Sequence, residues 1–140
     1  MPEKNILFLC TGNSCRSQMA EALAREILPK HIQRWSAGIV AHGMNPHVAT
    51  VMQEIGLNID SQYSKIIEDL PDIKFDCVIT VCDHASEQCP IFPATKILHH
   101  SFSDPPKLAL AYNTEEEKID CYRKVRDEIQ SWLSHQDLNC

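Results

Sequence analysis

The stretch KNILFLCTGNSCRSQMAEALAREIL, residues 4–28, decides the fold. It opens with a continuous apolar run at 4–10, a pattern typical of a strand that is buried on both faces. A short polar loop follows, and residues 17–28 then place apolar side chains at helical spacing, with Pro29 closing the segment. Strand, loop and helix in this order predict the first unit of a parallel sheet with crossover helices.

The rest of the chain repeats this alternation. Three segments have the character of further strands: IQRWSAG at 32–38, KFDCVITVC at 74–82 and TKILHHSF at 95–102. Two segments have helical spacing: NPHVATVMQEIGL at 45–57 and the long amphipathic segment 114–135. SDPPKLALAYN, at 103–113, is predicted to be the longest irregular connection. We therefore predict an α/β fold in a single domain over residues 1–140, with a small four-stranded parallel sheet flanked by helices on both faces.

Composition and charge narrow the classes of function. The 140 residues carry a net charge of −6, and 44% of them are hydrophobic. A negative charge opposes binding to nucleic acid or to an anionic membrane surface, so we expect neither as a partner. No apolar run reaches the roughly 18 residues that a membrane span needs, and the amino terminus lacks the pattern of a signal peptide. We therefore expect a cytoplasmic protein.

The loop CTGNSCRS at 10–17 has the composition of an anion-binding cradle. If a helix begins at Ser17, the backbone N–H groups of the preceding residues can surround one oxyanion, and the helix end adds partial positive charge. The predicted substrate-binding residues are Thr11, Gly12, Asn13, Ser14, Cys15 and Arg16. Gly12 and Asn13 tolerate backbone angles that other residues resist. The Arg16 guanidinium can hold a tetrahedral oxyanion through two parallel hydrogen bonds.

Cys10, at the mouth of this cradle, is the predicted nucleophile. A free thiol with a pKa of about 8.5 is only about 3% thiolate at pH 7, and a helix end with a neighbouring guanidinium lowers such a pKa. Ser17 can stabilise the thiolate when it acts as a leaving group. The loop therefore predicts a lowered pKa for Cys10 and a sulfur nucleophile that faces a bound oxyanion.

The stretch LFLCTGNSCRSQMAEA resembles the signature of the low molecular weight protein tyrosine phosphatase fold. More closely, it is similar to the thioredoxin-coupled arsenate reductases that share this fold. The similarity continues in SAG at 36–38, NP at 45–46, CDHASEQCP at 82–90, SDP at 103–105 and VRDEI at 125–129. The resemblance implies that Asn13 and Ser36 hold the shape of the loop, and that Asp104 is the general acid.

Two further cysteines, Cys82 and Cys89, lie in the part that resembles the reductases. If the strands that end in Cys10 and Cys82 are neighbours, their ends lie about 4.8 Å apart, within the range that a disulfide bridges. Cys89 lies seven residues beyond Cys82. If DHASEQ at 83–88 were helical, that separation would be about 10.5 Å, and a Cys82–Cys89 bond would require the segment to unwind.

The resemblance implies reduction of arsenate to arsenite, and hence arsenic detoxification. In this mechanism Cys10 attacks arsenic while Asp104 protonates the departing oxygen. Cys82 then forms a disulfide with Cys10, and Cys89 moves that disulfide to Cys82–Cys89, which thioredoxin reduces. We expect thioredoxin as the electron donor, no tightly bound cofactor, and a monomer.

Two other functions stay open at this point. A low molecular weight phosphatase needs Cys10 but neither Cys82 nor Cys89. Cys10, Cys15, Cys82 and Cys89 also form a possible zinc-binding or thiol-sensing set, although their spacings of four and six intervening residues exceed the two to four of structural zinc motifs.

No metal is predicted. Some proteins of the resembling family bind potassium with residues that here would include Asn13, Glu21 and Ser36. Lys65 stands where those proteins carry an aspartate, so we predict no potassium site. Four cysteines have no assigned role: Cys77 is predicted to lie in the core, Cys15 packs in the loop or bonds to Cys10 on oxidation, and Cys121 and Cys140 have no partner suggested by the sequence.

Overall fold

The structure, a computed structural model, describes residues 3–83, 85, 95–136 and 138. One parallel sheet of four strands runs through it in the order β2-β1-β3-β4. Its strands are β1 at Lys4–Cys10, β2 at Ile32–Gly38, β3 at Cys77–Thr80 and β4 at Lys96–His99. The predicted four-stranded parallel sheet is confirmed, with the third and fourth strands shorter than the 74–82 and 95–102 segments.

Within the described residues, four helices and one 3-10 turn connect and follow these strands. They are α1 at Arg16–Ile27, α2 at Pro46–Gln53, the 3-10 turn at Ile67–Asp69, α3 at Pro105–Ala109 and α4 at Glu115–Ser134. The prediction of an irregular connection over 103–113 is wrong in its centre, because α3 forms there. Pro105 and Pro106 occupy its first two positions, where a missing N–H and a fixed φ favour a helix.

The central strand β1 is covered on both faces. Its residues from Ile6 to Cys10 are all buried, and successive side chains of a strand point to opposite faces. α1 packs against β1 and β2, and α4 packs against α1, α2 and α3. The buried apolar side chains of the described residues form one continuous cluster. The single domain over residues 1–140 stays a prediction.

The register of the sheet brings the end of β1 next to the end of β3. Leu9 pairs with Thr80, and the Val81 amide donates to the Leu9 carbonyl at 2.9 Å. Cys10, the last residue of β1, and Cys82, two residues after β3, therefore lie at the same edge of two neighbouring strands, which meets the condition that the sequence analysis set. Within the described residues, no helix has the length and apolar character that crossing a membrane requires.

Candidate active site

The loop after β1 is held from outside by the segment that follows β2. Backbone amides of this segment donate to the loop carbonyls in four pairs: Ile39 to Cys10 at 3.1 Å, Val40 to Thr11 at 3.0 Å, His42 to Gly12 at 2.9 Å and Asn45 to Ser14 at 3.3 Å. With these carbonyls directed outward, the peptide N–H groups between them face the opposite side. This is the arrangement of a backbone anion cradle.

The helix end that completes the cradle begins one residue earlier than predicted. α1 starts at Arg16 with Cys15 as its N-cap, and no side chain among the described residues caps it. A capping oxygen therefore does not occupy the N–H groups of its first turn, which can face an anion, and the Ser17 backbone N–H is hydrogen-bonded to the Cys10 sulfur.

Asn13 is the centre of the hydrogen bonds behind the loop. It is fully buried, with a φ of 49°, in the left-handed region that the sequence predicted it would tolerate. Its side-chain oxygen accepts from the Lys65 amide and the Gln18 side chain, both at 2.9 Å. Its side-chain nitrogen donates to the Ser17 hydroxyl at 2.8 Å.

This network orients the Ser17 hydroxyl toward the predicted nucleophile. The Ser17 oxygen lies 2.7 Å from the Cys10 sulfur. The same oxygen accepts a hydrogen bond from the Asn13 side chain, and its own hydrogen is free to be donated to the sulfur when Cys10 is a thiolate. The Asn13 amide also donates to the Cys10 sulfur, at 3.2 Å. Both contacts favour a thiolate at Cys10.

Burial of Cys10 has the opposite effect on the pKa of its thiol from these contacts. Cys10 is buried, and its burial raises the pKa of the thiol, while hydrogen bonds from Ser17 and Asn13 lower it and the proximity of Cys82 raises it. The net direction is upward, so the prediction of a lowered pKa is wrong for this arrangement of the loop. Here the free energy needed to remove a thiolate from water is larger than the stabilisation that the neighbouring hydrogen bonds provide.

At Gly12 and Gly38, neighbouring atoms pack so closely that a Cβ would not fit. Gly12 has no left-handed φ; among the described glycines, Gly43 and Gly56 have φ values of 86° and 80°. A Cβ at Gly12 would overlap the ring of His42, so close approach, and not an unusual φ as predicted, explains this glycine. A Cβ at Gly38 would lie 2.8 Å from the Asn13 nitrogen, against the outside of the loop.

A cavity of about 270 Å³ opens above the Cys10 sulfur. It is lined by Cys10, Thr11, Gly12, Ser14, Cys15, Arg16, His42, Asp104 and Pro106. His42 was missed by the sequence analysis. The signal that could have found it is its position just after β2, because the carboxyl ends of parallel strands meet at one edge of the sheet.

Arg16 and Asp104 meet at this cavity. The Arg16 Nη1 donates to the Phe102 carbonyl at 3.1 Å, and its Nη2 lies 3.9 Å from the Asp104 carboxylate. The Asp104 side chain is 41% exposed and stands directly before α3. The guanidinium is thus anchored by a backbone carbonyl, and the carboxylate lines the same cavity beside it.

Cys82 is buried beside the cradle. Its sulfur lies 3.2 Å from the Thr11 hydroxyl, and the Ala85 amide donates to it at 3.4 Å. The described cysteines are all thiols: Cys10, Cys15, Cys77, Cys82 and Cys121. Cys89, Cys140 and the helical prediction for 83–88 lie outside the described residues, except for 83 and 85.

Cys15 is a second buried thiol of the cradle. Burial raises its pKa to about 11, and the hydrogen bond from Ser14 lowers the pKa by less. This thiol is therefore protonated at neutral pH and is not a competing nucleophile in the reduced loop. Cys77 is fully buried in β3, as predicted.

Lys65 lies behind the loop, against Glu21. Ser36 donates to Glu21 Oε1 at 2.6 Å, and the Lys65 ammonium lies 4.0 Å from the same oxygen. The ammonium also donates to the Tyr63 carbonyl at 3.2 Å and lies 4.6 Å from the Tyr63 ring centroid. Burial lowers the pKa of Lys65, and Glu21 raises it. Within the described part of the chain, no group of three or more His, Cys, Asp or Glu side chains could hold a metal ion.

Residues 5–136 match the family described as low molecular weight phosphotyrosine protein phosphatase. The chain belongs to this family. It is 48% identical over 130 residues to an arsenate reductase of Halalkalibacterium halodurans, which covers 92% of this chain and 91% of that protein.

Solved structures of the family share the fold. An arsenate reductase in a phosphate-binding state superimposes with a TM-score of 0.76 at 27% identity, over 93% of each chain. A thioredoxin-dependent arsenate reductase of Corynebacterium glutamicum gives a TM-score of 0.62 at 24% identity, over 94% of this chain and 62% of that one. The second likeness concerns the fold alone.

Proposed function

We propose that the protein reduces arsenate to arsenite, using thioredoxin as its electron donor. The observation that carries this proposal is the second buried thiol, Cys82, at the end of the strand next to the one that ends in Cys10. A phosphatase has no use for this thiol. The relatives named arsenate reductase and the cavity lined by Cys10 and Arg16 support the proposal.

In the first step the oxyanion binds to the amides of residues 11–16 and to the Arg16 guanidinium. The Cys10 sulfur attacks arsenic, and because its pKa is raised, the thiol proton must be taken up as the bond forms. Asp104 lines the same cavity, and in this proposal it accepts the proton and returns it to the departing oxygen, which leaves as water. The sulfur–arsenic bond forms while one arsenic–oxygen bond breaks.

In the second step Cys82 attacks the Cys10 sulfur. A sulfur–sulfur bond forms, the sulfur–arsenic bond breaks, and its electron pair stays on arsenic, which is reduced from the +5 to the +3 state. The Cys82 proton passes to an oxygen of the departing arsenite. The Thr11 contact and the Ala85 amide, both on the Cys82 sulfur, support its role as this nucleophile.

In the third step Cys89 attacks Cys82, which frees Cys10 and leaves a Cys82–Cys89 disulfide for thioredoxin to reduce. A fold relative named as thioredoxin-dependent supports this choice of donor. A thioredoxin donor and several reduced cysteines suit the cytoplasm, where thiols are kept reduced, and no step needs a second copy of this chain. We therefore include a cytoplasmic monomer of one domain, without a tightly bound cofactor, in the proposal.

A phosphatase activity at the same cavity is the competing function, since Cys10, Arg16 and Asp104 are sufficient for it. The decisive comparison is the native chain against Cys82→Ser. Arsenate-dependent NADPH oxidation is measured with thioredoxin and thioredoxin reductase, and hydrolysis of p-nitrophenyl phosphate is measured separately. We expect the variant to lose the first activity and keep the second. Ester hydrolysis without any arsenate-dependent oxidation in the native chain would assign the protein to the phosphatases.

A further inference from the structure

Cys82 lies between two residues that are held by one imidazole. The Thr80 hydroxyl, at the end of β3, lies 2.7 Å from His99 Nδ1, and the Asp83 carboxylate lies 3.0 Å from His99 Nε2. His99 is the last residue of β4, the neighbour of β3 in the sheet. The ring therefore fastens both sides of Cys82 to an adjacent strand.

The hydrogen bonds can be completed in either protonation state of the ring. In the neutral ring the Thr80 hydroxyl donates to Nδ1, and the proton on Nε2 is donated to Asp83. In the charged ring both nitrogens donate, and the Thr80 hydrogen turns to the Leu98 carbonyl, 3.4 Å away. The connection from Thr80 through His99 to Asp83 is thus kept in both states.

This connection continues a series of backbone contacts that stops just before Cys82. The amide of His100 donates to the Thr80 carbonyl at 3.0 Å, and the amide of Phe102 donates to the Val81 carbonyl at 3.1 Å. Of the described residues that directly follow Val81, Asp83 contacts β4 through His99. This contact holds the residue directly after Cys82, where the chain leaves the sheet.

We propose that His99 is a positioning residue for the Cys82 thiol. By fixing Thr80 and Asp83, it sets the direction in which Cys82 leaves β3, and so keeps its sulfur beside Thr11 and within reach of Cys10. His99 does not line the cavity above Cys10, so it acts on the second step of the relay and leaves the first unaffected. This inference rests on the proposed function, because the second step is the one that a reductase adds.

The first test compares two reactions of His99→Ala. Hydrolysis of p-nitrophenyl phosphate needs Cys10, Arg16 and Asp104, and we expect it to stay within about twofold of the native rate. Arsenite release in a single turnover without thioredoxin needs Cys82, and we expect it to fall by about tenfold or more, since misplacing a reacting group by about an ångström has effects of this size. Equal losses in both reactions, or no loss in either, would overturn the proposal.

Two further variants separate positioning from a general loss of stability. Asp83→Ala removes the other end of the same contact at a side chain that is 80% exposed, so it leaves the fold intact and is expected to reproduce the selective loss. His99→Gln places an amide nitrogen near the position of Nε2 and is expected to recover part of the rate. A failure of Asp83→Ala to reproduce the loss would contradict the proposal.

His100→Ala is the matched control. His100 is the adjacent histidine, but its ring stacks on Trp132 at 5.1 Å and contacts Phe102 at 4.6 Å, away from the Thr80–His99–Asp83 connection. Any loss in this variant should affect both reactions alike. A selective loss of arsenite release in His100→Ala would show that the effect does not belong to His99.

A second measurement makes the inference independent of arsenate. Diamide, a two-electron oxidant, takes two electrons and two protons from a pair of thiols and leaves a disulfide and a hydrazine. The rate at which it forms the Cys10–Cys82 disulfide, followed by peptide mapping, should be about tenfold lower in His99→Ala than in the native chain. If the native chain does not reduce arsenate, the proposed function fails while this rate still decides the role of His99. An unchanged rate would refute the positioning role.

Discussion

The chemistry of a single thiol is decided by opposing contributions around Cys10. The sequence suggests a lowered pKa, because a helix end, an arginine and a hydroxyl all follow the cysteine. In the structure the Ser17 hydroxyl and the Asn13 amide do contact the sulfur, yet burial raises the pKa above its usual value. Burial of a residue is a property of the whole fold, and for this reason a local pattern did not predict its effect on the pKa.

The raised pKa values give a testable pH dependence. A thiol with a raised pKa carries less thiolate at a given pH, so its alkylation is slow at neutral pH and accelerates as the pH rises. We expect Cys10 of the reduced enzyme to react with iodoacetamide mainly in the alkaline range, and Cys15, with a pKa of about 11, to stay unreacted up to about pH 9. Mass spectrometry of alkylated peptides measures both. Rapid alkylation of Cys10 that is already complete near pH 6 would contradict this expectation.

Gly38 provides a residue-level test of how the loop is held. A Cβ there would meet backbone atoms of Val40, Asn13 and Thr11, which cannot rotate away as a side chain can. We expect Gly38→Ala to lower the free energy of unfolding by about 1–3 kcal/mol and to weaken phosphate binding, because it pushes the loop inward.

The matched control for this prediction is Gly43→Ala. No atom lies within 4 Å of a Cβ at Gly43, but its φ of 86° makes the substitution strained. The variant should therefore lose some stability while it binds phosphate like the native chain. Thermal unfolding and calorimetric titration with phosphate measure the two effects. Weaker phosphate binding in Gly43→Ala than in Gly38→Ala would exclude the proposed close packing.

At the scale of elements, the order of strands and helices was predictable because each segment carries its own period and its own stop signal. β1 and β2 match their predicted bounds, and Asn45 caps α2 as expected. The lengths of β3 and β4 were overestimated, since the apolar runs in the sequence continue past the last residues that pair in the sheet. α3 was missed because two consecutive prolines were interpreted as marking a loop, whereas they suit the first turn of a helix.

The contact between Lys65 and Glu21 joins α1 to the segment before the 3-10 turn, and it gives a prediction at this scale. Both side chains are about nine-tenths buried, at 9% and 10% exposure, so removing one partner leaves the other poorly solvated. We expect Lys65→Met to lower the free energy of unfolding by about 2 kcal/mol.

A double-mutant cycle identifies the origin of this loss. In Lys65→Met with Glu21→Gln, a neutral amide replaces the buried carboxylate and its oxygen can still accept from Ser36, so much of the lost stability should return. Urea unfolding of the four proteins measures the coupling. Additive losses in the double variant would show that the two side chains do not interact, because the backbone contacts of Lys65 to Asn13 and Gly38 stay in place in every variant.

At the scale of the whole molecule, the active site depends on which strand ends become neighbours. The cradle residues could be predicted because they are contiguous in the sequence. Asp104 and Cys82 were found through the family resemblance and through the expectation that the ends of parallel strands meet. His42 and His99 are far from the cradle in the sequence. The arrangement of the strands brings His42 to the cavity and His99 close to Cys82, and the spacing of residues in the sequence did not predict this arrangement.

The same scale explains how a chain of net charge −6 can bind an oxyanion. Charges beyond about 8–10 Å are largely screened at physiological ionic strength, so the distant carboxylates count for little. The inward-facing amides and the Arg16 guanidinium are local, and they act inside a cavity where water is displaced. The groups that face the bound oxyanion therefore carry positive charge, although the net charge of the whole chain is negative.

The most direct test of the central claim is disulfide mapping of the Cys89→Ser variant after one turnover with arsenate and without thioredoxin. The relay predicts that this variant stops with a Cys10–Cys82 disulfide and releases one arsenite per chain, since the thiol that moves the disulfide onward is missing. Peptide mapping after alkylation identifies the bond, and arsenite is measured in the same sample. Recovery of Cys82 as an alkylated thiol, with or without arsenite in solution, would contradict the account.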